Sequence, residues 1–200
     1  MNFKINTDFT NYMKVFLVQN AVLNLISKNE EKFLWEKHVY DSLGIKLFFE
    51  KYSPKVNTLL DIGTGGGFPA VPIALEYPNI EVFALDSIRK KINAIENIKQ
   101  ELSINNLTTI CDRAENIEQK FDIITSRAVA TIDILVKYAA PLLRKNGYFV
   151  AYKSRLADKE INDAKYLMKK LGLKLIDIIE YTLPLEEVYE RKLVVLQKII

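Results

Sequence analysis

Cysteine is nearly missing from this chain: Cys111 is the only one in 200 residues. That excludes a disulfide framework and a cysteine-rich metal site, and no metal is expected. The same usage fits a reducing cytoplasm. No stretch approaches the roughly 18 consecutive apolar residues of a membrane span. Met1–Asp8 lacks the apolar centre of a secretory signal. A cytoplasmic protein with no membrane partner is therefore expected. An excess of one charge is missing too, since the net charge is only +3 and the pI is near 8.7. So mild a basic bias permits nucleic-acid binding without requiring it. There is no internal repeat, low-complexity stretch or clear linker, and the length suits one domain with a large core.

What is present is a glycine cluster in a telling place. The run Thr58-Leu59-Leu60-Asp61-Ile62 is followed by Gly63-Thr64-Gly65-Gly66-Gly67-Phe68-Pro69 and then by a helical segment. Apolar runs of this kind make buried parallel strands. Glycines turn the chain sharply and let a ligand approach the backbone, and the free N–H groups of the next helix face that ligand. Asp86 ends the next apolar run, Ile80–Leu85. A carboxylate about 20 residues past such glycines is where a doubly wound fold holds a ribose diol. A nucleoside-containing cofactor is expected. The spacing is Asp-x-Gly-x-Gly-x-Gly, not the dinucleotide pattern G-x-G-x-x-G. It resembles the first motif of S-adenosylmethionine-dependent methyltransferases, whose cofactor has no pyrophosphate to cradle.

Around this unit the chain alternates. Apolar residues recur at helical spacing from residue 8 to 51, with helices expected over the stretch that starts at residue 8, over 30–35 and over 37–51, and Ser53-Pro54 closes the block. Strands are expected at 57–62, 80–86, 107–111, 121–126 and 147–153, and helices at 68–77, 88–103, 131–143 and 158–171. This alternation gives a parallel sheet with helices on both faces. The tail breaks the rhythm: 173–182 and 192–199 are two strands with no helix between them, expected as an antiparallel hairpin at one sheet edge. The whole reads as an α/β, Rossmann-like class I methyltransferase fold. It has a seven-stranded, mostly parallel sheet with one antiparallel edge strand, residues 1–54 forming a helical extension on the methyltransferase domain 55–200.

Four further clusters bear on chemistry. Cys111–Glu115 follows the third strand, where Ala114 can pack on an adenine face and Glu115 can receive its exocyclic amine; a solvated loop is the alternative. Phe121–Ala128 ends the fourth strand, where methyltransferases present the acceptor. It holds no Asn-Pro-Pro-Tyr motif for amine methylation and no Pro-Cys pair for attack on a pyrimidine. Arg127 stands there instead, with a planar fork suited to phosphate, carboxylate or a guanine edge, or to an ion pair with Asp86 or Glu115. His38 and Asp41 share a helical face, as a catalytic pair or as structural groups. Lys153, Arg155, Arg191 and Lys192 lie at strand and hairpin ends, where they can anchor phosphates. The charges of 158–170 mix both signs and read as a solvated helix face.

Together these residues resemble the glucose-inhibited division protein B family (GidB/RsmG) of small-subunit rRNA methyltransferases. The resemblance rests on His38 with Asp41-Ser42-Leu43, the loop Asp61–Pro69, Leu85-Asp86-Ser87 with Lys90-Lys91, and Arg113-Ala114-Glu115. Ser126-Arg127-Ala128-Val129-Ala130, Lys153, and Arg191 with Leu193-Val194-Val195 complete it, in order from about residue 12 to 197. The family often has a glycine where this chain has Ser154. The resemblance implies methyl transfer from S-adenosylmethionine, leaving S-adenosylhomocysteine, to N7 of one guanine in 16S rRNA, on the RNA or the small subunit, by a monomer. It implies cofactor contacts at Gly63, Phe68, Ala114, Glu115 and Arg127; the loop and the distal acid add Gly65 and Asp86. Arg127, Lys153 and His38 are candidates for positioning the acceptor, and Lys153, Arg155, Arg191 and Lys192 for holding RNA. A Rossmann oxidoreductase, for which a second nucleotide-binding half is missing, and a noncatalytic binder, for which the glycines or Asp86 should be lost, are the alternatives. Among methyltransferases, a small-molecule or protein acceptor is the competitor.

Overall fold

The computed structural model describes residues 3–200; Met1 and Asn2, the first positions of the stretch read for a signal, lie outside the described residues. Strand β1 (Thr58–Ile62) is buried at every position. Its side chains alternate between two cores, as the two-residue period of a strand requires. Leu59 packs with Val82, Ile123 and Val150, whereas Leu60 and Ile62 pack with Ile124, Phe149 and Val194. A continuous apolar run therefore marks a strand covered on both faces.

The other strands are β2 (Glu81–Leu85), β3 (Leu107–Ile110), β4 (Phe121–Arg127), β5 (Leu143–Lys153), β6 (Leu173–Thr182) and β7 (Glu190–Lys198). They form one seven-stranded sheet in the order β3-β2-β1-β4-β5-β7-β6. Strands β1 to β5 pair in parallel, and β7 runs antiparallel to both β5 and β6. The reversed strand thus lies between β5 and β6, and β6 is the outermost member of the hairpin. Strand β5 starts at Leu143, ahead of the expected 147, because a bulge lets Leu143 pair with Phe121 before Tyr148 pairs with Ile123. Helices α3 (Ala70–Glu76) and α4 (Arg89–Glu101) cover one face, and α5 (Ile132–Leu142) and α6 (Ala157–Lys170) the other.

The N-terminal block is less regular than its apolar spacing suggests. Helices α1 (Thr10–Leu23) and α2 (Ile45–Tyr52) are α-helical, but Lys28–Phe33 is a 3-10 helix and Leu34–Tyr40 a π-helix. The expected helix over 30–35 is split at that junction. Asn20 is the cause: its Oδ1 accepts the Ile26 N–H at 2.8 Å and its Nδ2 donates to Glu31 at 2.8 Å. Those bonds fold the chain back after α1, which ends with Asn24 in left-handed backbone. The block is bolted to the sheet domain. Phe16 is fully buried, its ring centroid 5.0 Å from that of Phe68. Lys46 and Glu76 form a buried ion pair at 2.5 Å, and Glu76 also accepts the backbone N–H groups of Asn6 and Thr7.

Candidate cofactor and acceptor cavities

Beyond the carboxyl ends of β1, β2 and β3 lies a cavity of about 670 Å³, where ligands of open α/β sheets sit. The glycine loop makes its floor. Gly63 has φ of +70°, and a Cβ there would stand 2.5 Å from Val129 Cγ2. Gly65 has φ of +60°, but a Cβ on it would meet almost nothing, so its backbone faces open space. The Gly65 N–H donates to Asp86 Oδ2 at 3.0 Å, and Oδ1 accepts the Ile88 N–H at 2.9 Å. A carboxylate offers about four lone-pair sites, so these two bonds leave Asp86 free to accept a diol. Its charge is supported by Lys91, 3.7 Å away.

Gly63, Gly65, Phe68, Asp86, Ala114, Glu115 and Arg127 all line this one cavity. Ala114 is buried at the start of a 3-10 turn, Ala114–Asn116. The residues suit an adenosine with a charged tail: an open glycine backbone, a diol acceptor and a small apolar wall. Asn24, Leu25, Ile26, Ser27 and Glu30 of the N-terminal block also line the cavity, a contribution that the helical spacing of the block did not announce. Behind the loop, Asp61 is fully buried and accepts the Thr125 hydroxyl at 2.9 Å. Burial pushes its carboxyl up to about 7 against the hydroxyl bonds and the charge of Arg127.

Arg127 organises the rest. Its Nη1 donates to Asp41 Oδ2 and to the Lys37 carbonyl, both at 2.9 Å, and Nη2 lies 3.2 Å from His38 Nδ1. The ion pair is thus made with Asp41, not with Asp86 or Glu115. Asp41 has no exposure and also accepts the Tyr181 hydroxyl at 2.7 Å, while Arg191 Nε lies 3.2 Å from its Oδ1. His38 and Asp41 therefore do not act on each other; both grip the same guanidinium. A guanidinium only donates, so His38 Nδ1 must accept and its proton sits on Nε2. Burial first, and Arg127 second, lower the His38 pKa to about 4.

A second cavity, about 610 Å³, adjoins the first. Glu30, His38, Arg127, Ala128 and Val129 line both, forming a seam. Ala128 takes left-handed backbone, φ 57°, which for a residue with a Cβ costs on the order of 1 kcal/mol and is typical of functional sites. Lys153, Glu160, Tyr189 and Arg191 line the second cavity and not the first. Lys153 is not free: it meets Glu160 at 2.6 Å and donates to the Ala130 carbonyl at 2.6 Å. Lys192 is held by Asp158 and Glu180 and lies in neither cavity. Arg155 is exposed, has no acidic partner among the described residues, and lines a neighbouring hollow of about 630 Å³ with Val188 and Tyr189.

Comparison with known proteins decides the family. The GidB model, rRNA small subunit methyltransferase G, matches residues 5–189. The chain belongs to the GidB family. Among GidB relatives, the ribosomal RNA small subunit methyltransferase G of Bacillus subtilis (strain 168) is 36% identical over 197 residues, covering 96% of this chain and 81% of the relative. That of Staphylococcus saprophyticus is 33% identical over 200 residues, covering 98% and 82%. The fold is the class I methyltransferase fold. M. jannaschii TYW2, solved in complex with AdoMet, superposes with a TM-score of 0.62 at 16% identity, covering 80% of this chain and 77% of that one.

Several residues of this GidB site were not legible as such. Glu160 lies in the mixed charge run of 158–170, yet it turns inward, pairing with Lys153 and accepting the Ile132 N–H at 3.0 Å. Its neighbours Asp158 and Lys159 are exposed, as expected of a solvated face. Glu30 and Tyr189 carried no motif at all, and Lys91 stood in the Lys90-Lys91 match without a role at the cavity. A partial signal pointed to Glu160: it is one of two acids, with Asp158, in the first turn of α6, a few residues beyond the strand-terminal Lys153.

Proposed function

We propose that this chain transfers a methyl group from S-adenosylmethionine to N7 of one guanine in the 16S rRNA of the small ribosomal subunit. The observation that carries the reading is the seam: the cavity of the glycine loop and Asp86 shares Arg127, Ala128 and Val129 with a second cavity lined by Lys153, Glu160 and Arg191. Membership of the GidB family supplies the RNA. Gly63, Gly65, Phe68, Asp86, Ala114, Glu115 and Arg127 would hold the cofactor, with the N-terminal block as an extension walling it and residues 55–200 as the methyltransferase domain. When bound, the cofactor supplies an electrophilic methyl group on a sulfonium.

Guanine N7 carries an in-plane lone pair and no proton. It forms its bond to the methyl carbon as the carbon–sulfur bond breaks, no proton leaves, and no general base is needed. The chain's task is to hold the acceptor in line, with about 3–3.5 Å between reacting atoms. The purine gains positive charge in the step, so a bare cation at N7 would oppose it. Asp41 pairs with Arg127 and offsets part of its charge, so Arg127 orients ligands without standing as a bare cation. Among the described residues no helix is long and apolar enough to cross a membrane. With an rRNA substrate, we assign the protein to the cytoplasm, as a monomer.

Mass spectrometry of rRNA digests tests the reading: 7-methylguanosine at one 16S position should vanish when the gene is deleted and return with it. If every modified guanine persists, the assignment fails. A second expectation concerns His38. With a pKa near 4 it stays neutral from pH 6 to 9, so single-turnover rates show no step near the ordinary histidine pKa of about 6.5. His38→Asn leaves the shape of that profile unchanged. A step abolished by His38→Asn would give the imidazole a part in the chemistry, whereas one near 7 that survives it and disappears in Asp61→Asn would report the buried loop carboxyl. A third expectation concerns RNA. Arg155→Ala should lower the slope of log K against log salt by about 1, and Lys192→Ala should change it less, since its ammonium is already held by two acids. Equal slopes for wild type and Arg155→Ala would remove Arg155 from the interface.

A further inference from the structure

Lys153 and Glu160 present an ordered pair of hydrogen-bonding groups to the second cavity. Lys153 ends β5 and Glu160 lies in the first turn of α6; both line that cavity and neither lines the first. An ammonium has three N–H bonds. Two of those on Lys153 are spent, on Glu160 Oε2 and on the Ala130 carbonyl, and one remains. On Glu160, Oε2 takes both Lys153 and the Ile132 N–H. Its other oxygen, Oε1, receives no hydrogen bond or ion pair from the described residues and is not sealed from solvent. The pair thus offers one donor and, beside it, one charged acceptor.

Guanine carries the complement. Its O6 accepts, and the adjacent N1–H and N2–H groups donate; adenine presents the reverse order, an N6 donor beside an N1 acceptor. O6 also neighbours N7 on the major-groove edge. A guanine with N7 at the seam of the two cavities places its N1 and N2 groups on the opposite side of the ring, away from the seam. Lys153 and Glu160 lie in the part of the second cavity that the first does not share. Flipped bases are commonly read on this edge.

We propose that Lys153 and Glu160 read the Watson–Crick edge of the acceptor guanine, Lys153 donating to O6 and Glu160 Oε1 accepting from N1–H and N2–H. The assignment rests on the guanine-N7 reading above. It gives the ion pair a reason to sit part-buried in a cavity: each partner fixes the other while keeping one group for the base. It also makes the site selective. An adenine would face a donor with a donor and a carboxylate with a lone pair, and a site built on polar groups rejects such a mismatch strongly. The mixed charges of α6 are then a solvated face with one inward exception.

The test pairs protein variants with a changed base. Once mass spectrometry has located the methylated guanine, two RNAs are made by ligation, one with guanosine and one with inosine at that position. Inosine keeps O6, N1–H and N7 and lacks only the 2-amino group. With wild type, inosine should lower kcat/KM about 10- to 150-fold, the range for one hydrogen bond to a charged group. With Glu160→Ala the same change should cost less than about threefold, because its acceptor is gone. Glu160→Gln, which keeps the size and a carbonyl oxygen for Ile132, serves as the second variant. S-adenosylmethionine affinity by calorimetry shows that both fold. The same inosine penalty in wild type and both variants overturns the assignment, as does wild type that methylates both RNAs equally. Should no guanine of 16S rRNA be methylated at all, the function itself is wrong and this reading falls with it; a methylated guanosine RNA with no Glu160-dependent penalty removes only the reader.

Discussion

Asp41→Ala should unfold this protein at a markedly lower temperature and leave its acceptor site slack. Asp41 has no exposure and answers three groups at once: Arg127 at 2.9 Å, the Tyr181 hydroxyl at 2.7 Å and Arg191 at 3.2 Å. Removing it strands two guanidinium groups in a largely buried site. Breaking one partner out of a buried pair costs about 3–5 kcal/mol, which for a domain of this size lowers Tm by about 6 to 20 °C. Tyr181→Phe removes only one neutral donor to that carboxylate and should cost less, about 1.5–3 kcal/mol. Thermal unfolding of the two variants side by side checks the ranking. A Tm for Asp41→Ala within a degree or two of wild type would mean that water or a rearranged neighbour already carries the charge.

Asp86→Ala should cut S-adenosylmethionine affinity strongly. The carboxylate holds the Gly65 N–H and has capacity left for a ribose diol. Each charge-assisted bond lost is worth about 1.5–3 kcal/mol, a factor of about 10 to 150 in Kd. The loop adds to the loss, since the Gly65 amide is left without its acceptor. Asp86→Asn keeps one oxygen, which cannot serve Gly65 and a diol as two did, and should fall between. Calorimetry with the cofactor alone measures this free of RNA. Equal affinity for wild type and Asp86→Ala would move the ribose elsewhere in the cavity.

The parts of this molecule that could be read from its sequence are those encoded locally. The strand, glycine turn and helix around Gly63 lie within one short segment, and Asp86 follows at the end of the very next strand, so their order alone places them together. The tail hairpin was legible for the same reason: two strands with no helix between them must turn back. The reversed strand's place, between β5 and β6, depends on pairing with β5 and leaves no mark in the tail itself. Arg127 stood out at the end of β4, but its partner lies 86 positions away, just past the π-helix. No periodicity reports that distance, and nearer acids were the natural expectation. The 3-10 and π segments escaped notice because Asn20 dictates the fold-back through side-chain bonds rather than through apolar spacing.

The convergence on Asp41 also has a consequence in time. Its partners come from β4, from β6 and from the start of β7. During synthesis the glycine loop, Asp86 and Arg127 all leave the ribosome before Tyr181 and Arg191 do. A nascent chain can therefore pair β1 with β2 and shape the cofactor floor while the acid that steadies Arg127 still lacks two of its three partners. The acceptor side matures only when the hairpin arrives. The same chain thus forms its nucleoside half early and its acceptor half late.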